Sequence, residues 1–358
     1  VRRRIGLGLL VSLLISISSS VVANQSAFNT CPQISDDISR LACYDSFAEA
    51  TATERTPLFG FGIDGLTSHE PTKLFARTDS KDESQFYMDA TLSVKHPLFT
   101  PVVEQVADVL DIDRDTNIPR LYLAFTTRFS QYLGSRQSSP VVPRSYNPEL
   151  FLRIWRSGGF ERTNPSYWDF GYGHESNGQR INNKLAFDNA ITQAETNNDP
   201  LSSIRERISR GWDYLSVDWN KEWNTPFLPS LTGRTITHIE YRHYLDHGLF
   251  QGAPEEYNDW EGAGQHRRPR DRYDGLHFSL QYDLVGEPCL AWVCFERVEL
   301  SHDTGYAKPF EHNTTSLEVT TSVAGLPVYL WGRTGYNNNL VDYHNYSNSW
   351  GVGIEFQR

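Results

Sequence analysis

Long apolar runs are scarce in this 358-residue chain: after the first 23 residues none approaches the ~20 apolar residues a helix needs to cross a bilayer, so any later crossing must use strands. Positive charge is in deficit as well. With 33 Lys and Arg against 44 Asp and Glu the formal net charge is -11, which excludes general nucleic-acid binding through a basic surface. Cysteine occurs four times, in two close pairs, Cys31 with Cys43 and Cys289 with Cys294. Neither pair has the two-residue spacing of a typical zinc site, so two local disulfides are expected in an oxidising compartment, with three pairings formally possible. Methionine occurs once, and no internal repeat is visible.

What the chain has instead is aromatic and apolar residues: 19 Phe, 18 Tyr, 9 Trp and 39% hydrophobic residues overall, with 25 Gly. That is too apolar for a disordered protein and favours strands, so an all-β fold is expected. The amino terminus reads as an address. Arg2-Arg3-Arg4, the apolar run Ile5 to Ile17 and the small residues ending Val21-Val22-Ala23 have the three parts of a secretory signal peptide over residues 1–23. Residues 24–67 are polar and mixed, with a short helix expected around Cys43 between Ile38 and Ala50, and form an N-terminal periplasmic extension.

Beyond it the dominant signal is alternation with period two, which gives a strand two different faces. Phe86, Met88, Ala90, Leu92 and Val94 interleave with Tyr87, Asp89, Thr91, Ser93 and Lys95. Leu121, Leu123 and Phe125, then Leu276, Phe278 and Leu280, then Leu317 and Val319, then Trp350, Val352, Ile354 and Phe356 repeat the pattern. Two architectures answer to it, a soluble sandwich with the apolar face inward or an outer-membrane barrel with that face toward lipid. Strands of about ten residues, aromatic residues near strand ends such as Trp331 and Tyr336, and long polar connections at residues 180–207 and 246–272 favour the barrel, with those connections outside the cell.

One segment carries candidate chemistry. In Tyr172-Gly173-His174-Glu175-Ser176-Asn177-Gly178-Gln179, His174 and Ser176 are two apart, so on a strand both side chains leave from one face. An imidazole there can take the proton that makes a serine hydroxyl nucleophilic. Asp213, in Ser209-Arg210-Gly211-Trp212-Asp213, can orient that imidazole and stabilise its charged form. An isolated His-x-Ser pair is weak, since two polar strand residues arise easily by chance.

The two strings together resemble the signature of the bacterial outer-membrane phospholipase A family. Asp82-Glu83 before the Phe86 strand, Ser138-Ser139-Pro140, Tyr146-Asn147-Pro148-Glu149-Leu150-Phe151, and Gly335-Tyr336 leading to Leu340-Val341-Asp342-Tyr343 agree with it in order. The resemblance covers residues 68–358 and implies a transmembrane antiparallel β-barrel of about 12 strands in the outer membrane, with its active site on the lipid-facing side. It implies Ser176 as nucleophile, His174 as base and then acid, Asp213 as orienter where the family commonly has Asn, and the Gly178 N–H as oxyanion donor. It further implies calcium held by the Ser209 hydroxyl, the Gln179 carbonyl and the Ser138 carbonyl of a second subunit, hence a homodimer when active. The implied activity is hydrolysis of acyl esters of membrane phospholipids and lysophospholipids, of phospholipase A1 and A2 type. A non-enzymatic outer-membrane channel and a lipid A deacylase are the rival readings. A soluble α/β-hydrolase is disfavoured because Ser176 lacks the G-x-S-x-G elbow.

Overall fold

A computed structural model of the chain describes residues 65–80, 86–100, 102–103, 105, 119–133, 141–155, 166–200, 202–223, 233–261, 267–284, 289–290 and 292–357. The expected signal peptide, the Cys31 and Cys43 pair and nearly all of the N-terminal extension lie outside the described residues. The strands are β1 (Thr72–Asp79), β2 (Phe86–Leu98), β3 (Arg120–Tyr132), β4 (Val141–Trp155), β5 (Tyr167–Ser176), β6 (Gly211–Trp223), β7 (Gly233–Tyr244), β8 (Gly275–Leu284), β9 (Cys289–Leu290), β10 (Val293–Gly305), β11 (Asn313–Val323), β12 (Leu326–Gly335) and β13 (Ser347–Gln357). Two helices, α1 (Lys184–Asn197) and α2 (Ser202–Arg205), lie between β5 and β6.

Sequential strands pair antiparallel, β8 pairs with β10, and β13 returns to β1 with Ala76 opposite Val352, so twelve strands close on themselves. Closure removes the sheet edges, which is how strands become tolerable in lipid. The two-residue β9 stands outside the ring, paired only with β10, where Cys289 is disulfide-bonded to Cys294 as expected. No helix among the described residues is long and apolar enough to cross a membrane.

Burial is inverted relative to a soluble domain. Leu92, Leu123, Phe125, Leu150, Phe170, Leu215, Leu300, Leu317, Leu330, Trp350 and Val352 are exposed on the outside, while Arg77, Lys95, Glu149, Arg153, Asp169, Asp283, Arg297 and Glu355 are buried inside. Buried charges are tolerable only when paired. Arg153 grips Asp169 with two bonds of 2.8 and 2.7 Å, Arg77 donates to Asp89 at 2.6 Å, and Arg297 of β10 binds Glu355 of β13, with Thr320 of β11 bonded to both. The period-two pattern therefore resolves as a barrel with lipid outside. Trp331 differs from its expected place: with Tyr329 and Arg333 it lines the lumen, because β12 turns those alternate residues inward and Leu330 outward. Tyr336 directly follows the end of β12, as expected, and packs on Tyr273, which in turn packs on Tyr343.

The connections that hold residues 177–210 and 245–274 leave from the same end of the barrel, the end at which β5 finishes and β6 begins. The longer loops mark the extracellular end of such barrels. Beneath them Trp212, Tyr214, Tyr244, Tyr257, Tyr273, Leu340 and Tyr343 form a buried cluster. Arg270 braces it, lying 4.5 Å over the Trp212 ring and paired with Glu175 at 2.8 Å and Asp274 at 2.7 Å. Burial alone would raise the Asp274 carboxyl, but the Arg270 guanidinium, with Arg242 behind it, holds it far below the ordinary carboxylate range.

Residues 180–207, expected as a long extracellular connection without strands, carry α1 and α2. Asn183 caps α1 by accepting from the Ala186 N–H at 3.0 Å, and Phe187, Ala190, Ile191 and Ala194 follow at helical spacing. That stripe packs on Ile181, Ile204, Ile208 and Trp260, giving the insertion a small core of its own.

Candidate active site

β5 and β6 pair antiparallel with His174 opposite Asp213 and Ser176 opposite Gly211. Alternation decides which way each side chain points. Glu175 is buried on the lumen side against Arg270, so its neighbours His174 and Ser176 leave from the outer face, continuing the row of Trp168, Phe170 and Tyr172. On β6, Trp212 and Tyr214 fill the mouth, which turns Asp213 and Leu215 outward. Three of the residues singled out in the sequence thus share one lipid-facing patch. His174 Nδ1 lies 2.6 Å from Asp213 Oδ1. A carboxylate only accepts, so Nδ1 is the donor in this bond, and Nε2 is the nitrogen free to take a proton from the serine.

Asp213 faces outward and yet its side chain is 0% exposed. Its second oxygen, Oδ2, accepts from the Tyr172 hydroxyl at 2.6 Å, the Phe250 N–H at 2.8 Å and the Gln251 N–H at 3.1 Å. The Tyr172 oxygen in turn accepts from the Leu249 N–H at 2.6 Å. A carboxylate moved from water toward lipid is costly unless its lone pairs are filled, and these donors fill them. The Phe250 ring stands 5.9 Å from the imidazole of His174. Gln251 also brings its side-chain amide against Gly211, opposite Ser176: a Cβ added at Gly211 would fall 2.7 Å from Gln251 Oε1 and 3.4 Å from the Ser176 Cβ. Sequence reasoning passed over Tyr172 and residues 248–251 because nothing in their spacing announces a contact across 35 or more positions.

After Ser176 the chain turns sharply, with Gly178 exposed at φ 60°, a left-handed conformation that favours glycine. Asn177 fixes this turn. Its buried side chain donates to the Ile208 carbonyl at 2.8 Å and accepts from the Arg210 N–H at 2.9 Å and the Gln179 N–H at 3.3 Å. Below it Ile181 and Ile208 form a bridge, and the Ser209 N–H donates to the Ile181 carbonyl at 2.8 Å. Gln179 and Ser209, expected as metal ligands, are therefore stitched into one local segment despite the insertion between them. They offer a carbonyl and a hydroxyl, oxygen donors suited to a hard cation. Ser138 lies outside the described residues. No group of three or more His, Cys, Asp or Glu that could hold a metal occurs among the described residues. Replacing Asn177 with Ala should leave two backbone N–H groups and a carbonyl without partners, lowering stability by about 1–3 kcal/mol. Urea unfolding in detergent checks the stability, and amide exchange at Gln179 and Arg210 should speed up in the same variant; unchanged exchange at both would remove the stapling role.

The comparisons with known proteins bear on this geometry. A family described as phospholipase A1 matches residues 65–243, half of the chain. No curated protein matches it. Among solved structures, outer membrane phospholipase A from Escherichia coli is similar at 15% identity, with 81% of this chain and 98% of that one covered and a TM-score of 0.50. An active-site mutant of the Escherichia coli protein gives 15% identity, 83% and 93% coverage and a TM-score of 0.52. The Salmonella typhi outer membrane phospholipase, a dimer with bound calcium, gives 15%, 81% and 92%, and 0.50. At such identity these structures speak for the fold.

Proposed function

The chain belongs to the phospholipase A1 family and is an outer-membrane phospholipase, and from that premise we propose that Ser176, His174 and Asp213 carry its hydrolysis of acyl esters. The observation that supports this most directly is the 2.6 Å bond between His174 and Asp213 on the lipid-facing side, with Ser176 two residues further along the same strand face. Ser176 Oγ attacks the ester carbonyl carbon while His174 Nε2 takes its proton. The imidazolium, held by Asp213, returns that proton to the departing glycerol oxygen, leaving an acyl-serine and a lysophospholipid. A water that gives its proton to His174 then attacks the acyl carbon, and the fatty acid leaves as Ser176 regains its hydrogen. The Gly178 N–H is the oxyanion donor in this scheme, at a turn without a side chain to obstruct the lipid.

Gln179 through its carbonyl, Ser209 through its hydroxyl, and Ser138 of a second copy are the positions that would hold calcium. Bound there, the ion would supply positive charge beside the developing oxyanion. A site shared between two copies makes the homodimer the active form, a regulation read out by activity against protein concentration with cross-linking.

The test is fatty-acid release from mixed phospholipid–detergent micelles. A chelator should lower the rate at least tenfold and excess calcium should restore it. Ser209→Ala should raise the calcium concentration for half-maximal rate while leaving the plateau near native. A rate unmoved by the chelator would remove the metal from the proposal, and equal specific activity in a monomeric state would remove the dimer.

A further inference from the structure

We propose that residues 248–251 form a lipid-contacting strap that holds Asp213 in its orienting position, so that contact with acyl chains and alignment of His174 are one conformational state. The proposal rests on the assignment of His174 and Asp213 made above. Leu249 is 85% exposed and Phe250 69%, large apolar residues in a loop that otherwise turns polar. They belong to a tight turn, closed by the Gly248 N–H on the Gln251 carbonyl at 2.9 Å and by His247 Nδ1 on the Gly252 carbonyl at 2.7 Å. That turn does not project from the mouth. It folds back over the outside of the barrel, because its own N–H groups reach Asp213 Oδ2 and the Tyr172 hydroxyl on the outer face.

What covers Leu249 and Phe250 follows from where the turn lies. Phe250 packs on Tyr172 at 6.1 Å between ring centres, and along the same face of β5 come the exposed Phe170 and Trp168, with exposed Leu215 beside them on β6. The apolar surface of the strap is thus continuous with the band of an outer-membrane barrel that meets lipid, and the occupant we assign is the acyl-chain region of the bilayer. Leu249 and Phe250 each carry a backbone N–H aimed at the Asp213–Tyr172 pair; the Leu249 side chain is exposed, and the Phe250 ring lies against Tyr172 and His174 with most of its surface still open. Withdrawing the side chains from lipid would pull the donors from the carboxylate. Gly248 makes the closeness possible: a Cβ there would fall 1.8 Å from Asp213 Oδ2. Tyr172, Leu249 and Phe250 act through Asp213 and are positioning residues.

Two readouts test this, one without turnover. In the Ser176→Ala chain, Leu249→Cys carrying a nitroxide, in vesicles of phosphatidylethanolamine and phosphatidylglycerol, should be relaxed more by oxygen than by a water-soluble nickel chelate, with the chain lacking Leu249→Cys and treated identically as blank. Adding Gly248→Ala should reverse that order. In the catalytically intact chain Gly248→Ala should lower kcat at least tenfold with KM within twofold of native. Should Gly248→Ala misfold, Leu249→Ser with Phe250→Ser, which keeps every backbone donor, should lower kcat on vesicles by at least threefold. A nitroxide that prefers the nickel chelate with Gly248 in place overturns the strap and leaves Ser176 and His174 untouched. A lipid-preferring nitroxide in a Ser176→Ala chain that still hydrolyses phospholipid overturns the assignment of the site, and with it the positioning role.

Discussion

Ser176→Ala is expected to reduce fatty-acid release by about 10⁴-fold or more, because a chain without the hydroxyl keeps only the catalysis that binding and oxyanion donors provide. The side chain is small, on the outer face at the end of β5, and opposite a glycine, so its removal opens no cavity in the mouth cluster. The variant should fold and resist urea like the native chain. That makes the loss interpretable as chemistry. Residues that act as one unit are not additive, so Ser176→Ala with His174→Ala should be no slower than Ser176→Ala alone. Initial rates on mixed micelles, with folding followed by the shift of the heated band on gels, decide the matter. A variant that keeps a tenth of the native rate puts the nucleophile elsewhere.

The second large effect is expected where the chain departs from the pattern of the family it resembles, which commonly has Asn at the place of Asp213. Taken alone, that pattern makes Asp213→Asn look harmless. The geometry argues otherwise. Asp213 Oδ1 receives His174 and Oδ2 receives three donors, the Tyr172 hydroxyl and two backbone N–H groups. An amide has one acceptor oxygen and one donor nitrogen. If the oxygen of Asn faces His174, its NH₂ meets the N–H groups of Phe250 and Gln251 head on; if it turns over, the NH₂ meets the imidazole N–H. Buried donors left facing a donor cost about 1–3 kcal/mol each, so kcat should fall about 10²-fold. Asp213→Ala should be at least as slow. Amide exchange separates the causes, since Phe250 and Gln251 should lose protection in Asp213→Asn. Native kcat with protected amides would mean that the carboxylate is dispensable here.

How far the sequence carried these conclusions depended on distance along the chain. Strands such as Phe86–Leu98 were legible because period two survives in any two-faced sheet, and the residues of each face can be counted without knowing their neighbours. Period two alone does not give the sign of the faces; strand length and the long connections favoured the outward one, and closure shows it, with Arg153 and Asp169 meeting inside while Leu150 and Phe170 face out. His174, Ser176 and Asp213 could be singled out as candidates because their strings are short and local, and the structure brings His174 and Asp213 within a hydrogen bond. The backbone donors on Asp213 come from a loop 37 and 38 residues away, and backbone N–H groups leave no trace in side-chain identity. Asn177 stood inside the recognised string, but its partners Ile208 and Arg210 appear only when the insertion is folded. The helix within that insertion was readable from Asn183 and the Phe187, Ala190, Ile191, Ala194 spacing, and a polar average hid it.

The closing of that insertion at its base has a meaning for variation among such barrels. Chain leaves the turn at Ile181 and returns at Ile208, and between them the apolar face of α1 and Ile204 share a small core with Trp260, tied to the rest of the molecule by the Tyr132 hydroxyl on Glu206 and by Arg205 on Asp342. A detour closed at its base in this way can change in length within α1 while the turn after Ser176 keeps its shape. It also stands at the cell-surface end, which makes the exposed stretch of α1 around Leu185 a natural handle for an epitope or for whatever the outside world selects to grip.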